Sequence, residues 1–145
     1  MSETATFTYK VSEDIYLNNN YRNSEVTESV AGISSIDNRI LNVPSGSITQ
    51  IVTFADNLEE AGSGTLERAK LVYLRLTNID STGNIYLSIV GSSSTSYEVK
   101  LGTKQSFLLN NTYMLGGTEQ VSSISAYVGG DTTGAKTLEY YSATT

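Results

Sequence analysis

The chain has no histidine and no cysteine, so its reactive groups are carboxylates, amides, hydroxyls and tyrosines. Without histidine it lacks the commonest general base and transition-metal ligand, and without cysteine it has no disulfide framework and no thiolate metal site. Asp56, Glu59 and Glu60 lie close enough in sequence to collect a cation, but their spacing matches no calcium-loop template. Asn78, Asp80 and Asn84 surround a turn and offer a second cation reading; Asx side chains in turns more commonly bond their own backbone. A carboxylate glycosidase needs two acids about 5 to 10 Å apart. Glu98 and Glu139 fall on different expected strands and form no such pair from sequence. Gly129 to Gly134 is too short and wrongly composed for a phosphate-binding loop, and Asn110-Asn111-Thr112, although a glycosylation sequon, reads as a polar turn. No enzymatic activity, cofactor or metal is expected.

The elements that would position any site are strands. Val72, Leu74 and Leu76 alternate with Tyr73 and Arg75; Ile85, Leu87 and Ile89 alternate with Tyr86 and Ser88; Tyr97, Val99 and Leu101 follow at the same period. Period two means strands buried on one face. The run from Lys70 to Leu109 therefore reads as an antiparallel meander closing with Ser106–Leu109, its first reversal at Ile79–Asn84. Its second face, with Leu71, Tyr73, Arg75, Tyr86 and Val90, is too apolar for free solvent and calls for a second layer or a neighbouring subunit.

Upstream, Ala5, Phe7, Tyr9 and Val11 form one face of a first strand over Thr4–Val11, an edge or arm. The Asn18–Asn23 cluster reads as a loop able to display Tyr21. Val26–Ile33 is a weak strand, Ser34–Asn38 a turn, and Arg39–Val43 a short strand ended by Pro44. Ser47–Phe54 is a clear strand. Asp56–Ala61 suggests one helical turn inside the longest connection, which would cross between sheets. Val121–Val128 and Thr137–Ser142 close the chain.

These readings give an all-β fold: one antiparallel β-sandwich, jelly-roll-like, of about 8–10 short strands. At 145 residues one domain over 1–145 is expected, with 1–25 able to act as an N-terminal strand or arm contacting a neighbour. Net charge is −6, which disfavours nucleic acid. No apolar run reaches membrane length, so no membrane partner is expected, and Met1–Phe7 lacks the basic start and apolar stretch of a secretory signal.

Tyr73–Asp80, Ile85–Ile89, Tyr97–Gly102 and Ser106–Leu109 together resemble small accessory virion proteins encoded near the capsid genes of tailed bacteriophages, especially marine and cyanobacterial ones. The shared pattern is a strand ending in Thr-Asn-x-Asp, an aliphatic strand, then a charged strand leading through Gly to an apolar run. The resemblance implies a capsid decoration, or cement, protein located in the virion, often trimeric, with the major capsid protein or another virion protein as partner. Tyr and Arg are common interface anchors, which makes Phe7, Tyr9, Tyr73, Arg75 and Tyr86 the candidate contact residues. A carbohydrate-binding module, as in a tail fibre, is the alternative; exposed Tyr and Asn suit it, and the lack of Trp counts against it.

Overall fold

The computed structural model describes residues 4–56, 64–114 and 119–145. The first four strands form one long hairpin. In it β1 (Ala5–Glu13) pairs with β4 (Ser24–Ile33), and β2 (Tyr16–Leu17) pairs with β3 (Asn20–Tyr21) at the tip. The remaining strands are β5 (Ser35–Val43), β6 (Thr49–Ala55), β7 (Thr65–Glu67), β8 (Leu71–Asn78), β9 (Ile85–Gly91), β10 (Ser96–Leu101), β11 (Ser106–Leu109), β12 (Tyr113–Met114), β13 (Glu119–Val128) and β14 (Lys136–Thr144). Sheet I runs β10-β9-β13-β6-β7, with β12 beside β13; sheet II runs β11-β8-β14-β5. The two stack as a sandwich of antiparallel strands. The strands outnumber the sequence estimate because β2, β3, β7 and β12 have only two or three residues, too few to show a period.

The inward parity of each strand supplies the core. Leu74 and Leu76 of β8, Leu138 and Tyr140 of β14 and Val43 of β5 face Ile85, Leu87 and Ile89 of β9 and Ile124 and Ala126 of β13, all fully buried. Each large aliphatic side chain buried this way contributes about 1.5–3 kcal/mol.

Three sequence expectations change. The meander does not form: β8 pairs with β11 and β14 in sheet II, while β9 pairs with β10 and β13 in sheet I. The reversal at 79–84 has the expected turn chemistry, with Gly83 at φ 87°, but it carries the chain across the sandwich. Asn78 fixes that crossing. It is fully buried; its Nδ2 donates to the carbonyls of Gly83 (3.1 Å) and Leu101 (3.0 Å), and its Oδ1 accepts from the Asp80 N–H. A single asparagine thus binds the end of β8 to the end of β10 in the opposite sheet.

The long connection after β6 does not deliver the chain to the other sheet. β7 lies parallel beside β6, Thr53 opposite Thr65, and the crossing follows in the 3-10 turn Arg68–Lys70. Arg68 holds this corner: it donates to the carbonyls of Val121 (3.2 Å) and Phe54 (3.3 Å) and ion-pairs with Asp56. The rest of the expected helical turn, 57–61, lies outside the described residues.

Ser34–Asn38 is not a turn. Ser35 onward is strand, paired residue for residue with β14 from Ser35↔Thr144 to Val43↔Lys136. A complete ladder with a central strand overrides the turn preference of Ser, Asp and Asn. Pro44 does end β5.

Candidate interaction surface: a projecting hairpin

The hairpin forms because Ala5–Val11 alternates and because two asparagines sit at its tip. Asn18 and Asn19 adopt φ of 53° and 62°, the left-handed region that a two-residue type I′ turn requires and that asparagine tolerates. Tyr16 and Tyr21 face each other across the turn with ring centroids 4.8 Å apart, and the Tyr16 hydroxyl donates to Asn19 Oδ1. Between tip and root the register stays constant, with Val11↔Val26, Tyr9↔Glu28 and Phe7↔Val30, and a bulge follows between Ala5 and Phe7.

Among the described residues, the ring contacts that fasten the hairpin to the body lie at its root. Phe7 packs on Tyr73 (5.2 Å between centroids) and Tyr141 (6.0 Å), and Tyr9 packs on Tyr73 (4.9 Å) and accepts a hydrogen bond from Asn110 Nδ2. These rings stand on the outer face of sheet II. Beside them the Arg75 guanidinium lies 5.9 Å from the Tyr141 ring centre, pairs with Glu139 (2.6 Å) and bonds Thr77. Burial pushes the Tyr73 hydroxyl above its ordinary pKa, against the opposing pull of Arg75.

Beyond the root the hairpin is bare. Every residue from Lys10 to Ser29 is exposed. The large apolar ones stand well into solvent: Leu17 is 55% exposed, Val26 62% and Tyr21 75%. Phe7, Tyr9 and Val11 share one parity along β1, and Ile15 and Leu17 continue it. Tyr16 and Tyr21 have the other. The arm therefore carries an aliphatic stripe continuing the docked face, and a tyrosine pair at its tip on the opposite face.

Of the five residues singled out in the sequence, Phe7, Tyr9, Tyr73 and Arg75 come together at the root. The cover over Tyr73 comes from the chain's own hairpin. Tyr86 lies elsewhere, on the outer face of sheet I. There it stacks on Tyr127 (5.3 Å, 14° between planes), and its hydroxyl donates to Asp131 Oδ2, which also accepts from Asn84 and Lys100. Sequence reasoning missed Tyr141, although its alternation with Leu138 and Tyr140 marked it as outward. It placed Val11 on the face of Phe7 and Tyr9 but missed the continuation through Ile15, Leu17 and Val26; the available signal was the Asn18-Asn19 pair as a two-residue hairpin turn.

The acidic candidates are engaged structurally. Glu98 accepts from the Tyr127 hydroxyl on the outside of sheet I, while Glu139 pairs with Arg75 on the outside of sheet II, so the two share no cleft. Asp80 accepts the Thr137 N–H, and Asn84 bonds Asp131. Glu59 and Glu60 lie outside the described residues. Comparison with family models, with curated proteins and with solved structures gives no match.

Proposed function

We propose that this chain is a structural virion protein of a tailed bacteriophage, a capsid decoration protein that binds the outer shell and stabilises it without catalysing a reaction. The observation that supports this reading is the projecting arm, exposed from Lys10 to Ser29 and tipped by Tyr16 and Tyr21. Phe7, Tyr9 and Tyr73 serve as its fastening, and contact with the shell passes to the tip, where tyrosines offer large contact area at low conformational cost. A protein that binds only the assembled lattice stabilises that lattice by mass action, and many copies per particle make modest affinity at each site sufficient.

Co-sedimentation with mature capsids tests the reading. The wild-type chain is expected to pellet with particles, and Tyr16→Ser with Tyr21→Ser to weaken binding about tenfold or more. A wild-type chain that stays in the supernatant would sink it. A second reading, a carbohydrate-binding module, draws on the Tyr86–Tyr127 stack with Asp131, Asn84 and Lys100 around it. Specific retention on a glycan array, lost in Tyr86→Ala, would favour that reading.

A further inference from the structure

Among the described residues, two groups of exposed apolar side chains stand out. One is the stripe Val11, Val26, Ile15 and Leu17 on the arm. The other is the remainder of the outer face of sheet II, where Ile36 and Ile40 on edge strand β5 and Leu108 on edge strand β11 stay exposed around the central Arg75, Glu139 and Tyr141. Glu13, Ser24 and Arg22 share the face of the arm stripe, whose apolar parts are the Val11–Val26 pair and the Ile15 and Leu17 side chains; an isolated two-stranded ribbon is marginally stable in water. Each surface lacks a partner of the chemistry that the other supplies.

Resting on the structural role proposed above, we infer that the arm's aliphatic stripe is received by a second copy of this chain, on the outer face of its sheet II. Continuity with an existing interface carries this. The hairpin face that bears Val11 and Val26 already packs, two residues earlier, on that same sheet face through Phe7 and Tyr9 against Tyr73 and Tyr141. One copy covers the middle of its own sheet with the root; its neighbour's arm covers the flanks. The reach suffices. From Tyr9 to Leu17 the arm extends about 27 Å at about 3.4 Å per residue, whereas four strands at about 4.8 Å spacing span about 14 Å between outer axes. The stripe and the Tyr16–Tyr21 pair have opposite parity, so occupation of the stripe by a sister chain leaves the tip for the shell.

Sedimentation velocity on the full chain over a concentration series reads the association. The wild type is expected to be oligomeric. The Val11→Lys/Val26→Glu variant, whose opposite charges face each other across the ladder, is expected to associate at least thirtyfold more weakly while keeping the wild-type melting curve at concentrations where both chains are monomeric, since both positions are exposed. Because the chain has no cysteine, Val26→Cys and Ile40→Cys chains with distinguishable tags can be mixed and oxidised. A mixed disulfide between them is expected. A monomeric wild type, or an oligomer that ignores Val11→Lys/Val26→Glu and yields no mixed disulfide, overturns the inference. Capsid co-sedimentation run in parallel separates the two ideas: a monomer that still pellets with particles loses only the inference, and an oligomer that does not pellet loses only the virion reading.

Discussion

The arm and the sandwich are made of the same material. Both are antiparallel ladders in which apolar residues alternate with polar ones, and both turn through residues with positive φ. They differ in what lies against the apolar parity. In the body, Leu74, Leu76, Ile85 and Leu87 are sealed between two sheets. In the hairpin the same alternation is covered at Phe7 and Tyr9 and then runs on uncovered through Val11, Ile15 and Leu17. Alternation therefore specifies a face and leaves its occupant unspecified. Where the occupant is another sheet of the same chain, the face becomes core; where the chain supplies none, the face remains available.

The contrast can be broken or sharpened by substitution. The largest effect is expected in the core: Leu76→Ala should destabilise the chain by about 3 kcal/mol, read as a lower urea midpoint, whereas Val11→Ala should cost less than about 0.5 kcal/mol. Equal costs would mean that the arm is already covered within one chain. Asn78→Ala should cost about 2 kcal/mol, because the Leu101 and Gly83 carbonyls lose their donor at the crossing between sheets. Tyr73→Ala should release the arm from the body. Proteolysis between Lys10 and Ser29 and amide exchange in β1 and β4 are expected to speed up several-fold, with the protection of β9 and β13 unchanged. Asn19→Gly should do the reverse, firming the turn by about 0.5 kcal/mol, visible as slower exchange at Tyr21 with little change in global melting.

The smallest effect concerns pH. The Lys100 ammonium donating to Asp131 holds that carboxyl below its ordinary pKa, with Tyr86 and Asn84 adding to the pull. A lowered folded-state pKa contributes stability that is present above the unfolded value and lost as pH falls through the folded one. Asp131 lies on the surface, so salt screens much of this. Lys100→Met should move the Asp131 titration upward, as followed by carboxyl NMR shifts; an unmoved titration would show that Tyr86 and Asn84 carry the effect.

The strands were legible where one parity is mainly apolar, as in β8, β9, β13 and β14. What alternation could not convey was sheet membership. Leu76 and Ile85 both point into the core, and the short polar turn between them would suit a hairpin; only the pairing of β8 with β14 shows that the turn changes sheets. For the same reason Tyr73 and Tyr86, read as one outer face, stand on opposite sides of the sandwich. The root of the arm was partly legible because Phe7 and Tyr9 are large and adjacent in parity. The bare stripe beyond it was not, since Val11 and Val26 look in sequence like any half-buried pair. Ser35–Asn38 misled through composition, because its strand state depends on β14, which lies far along the chain.

That dependence bears on how the protein is made. β14 occupies an interior place in its sheet, between β8 and β5, so the two earlier strands have nothing to join them until the ribosome has passed Thr144. A nascent chain must hold β5 apart from β8 for most of its translation, although β8 can pair with β11 earlier, whereas the Asn18-Asn19 hairpin needs only residues 5–33 and can close within microseconds of emerging. Each newborn molecule would thus own its projecting ribbon before the sandwich beneath it is finished.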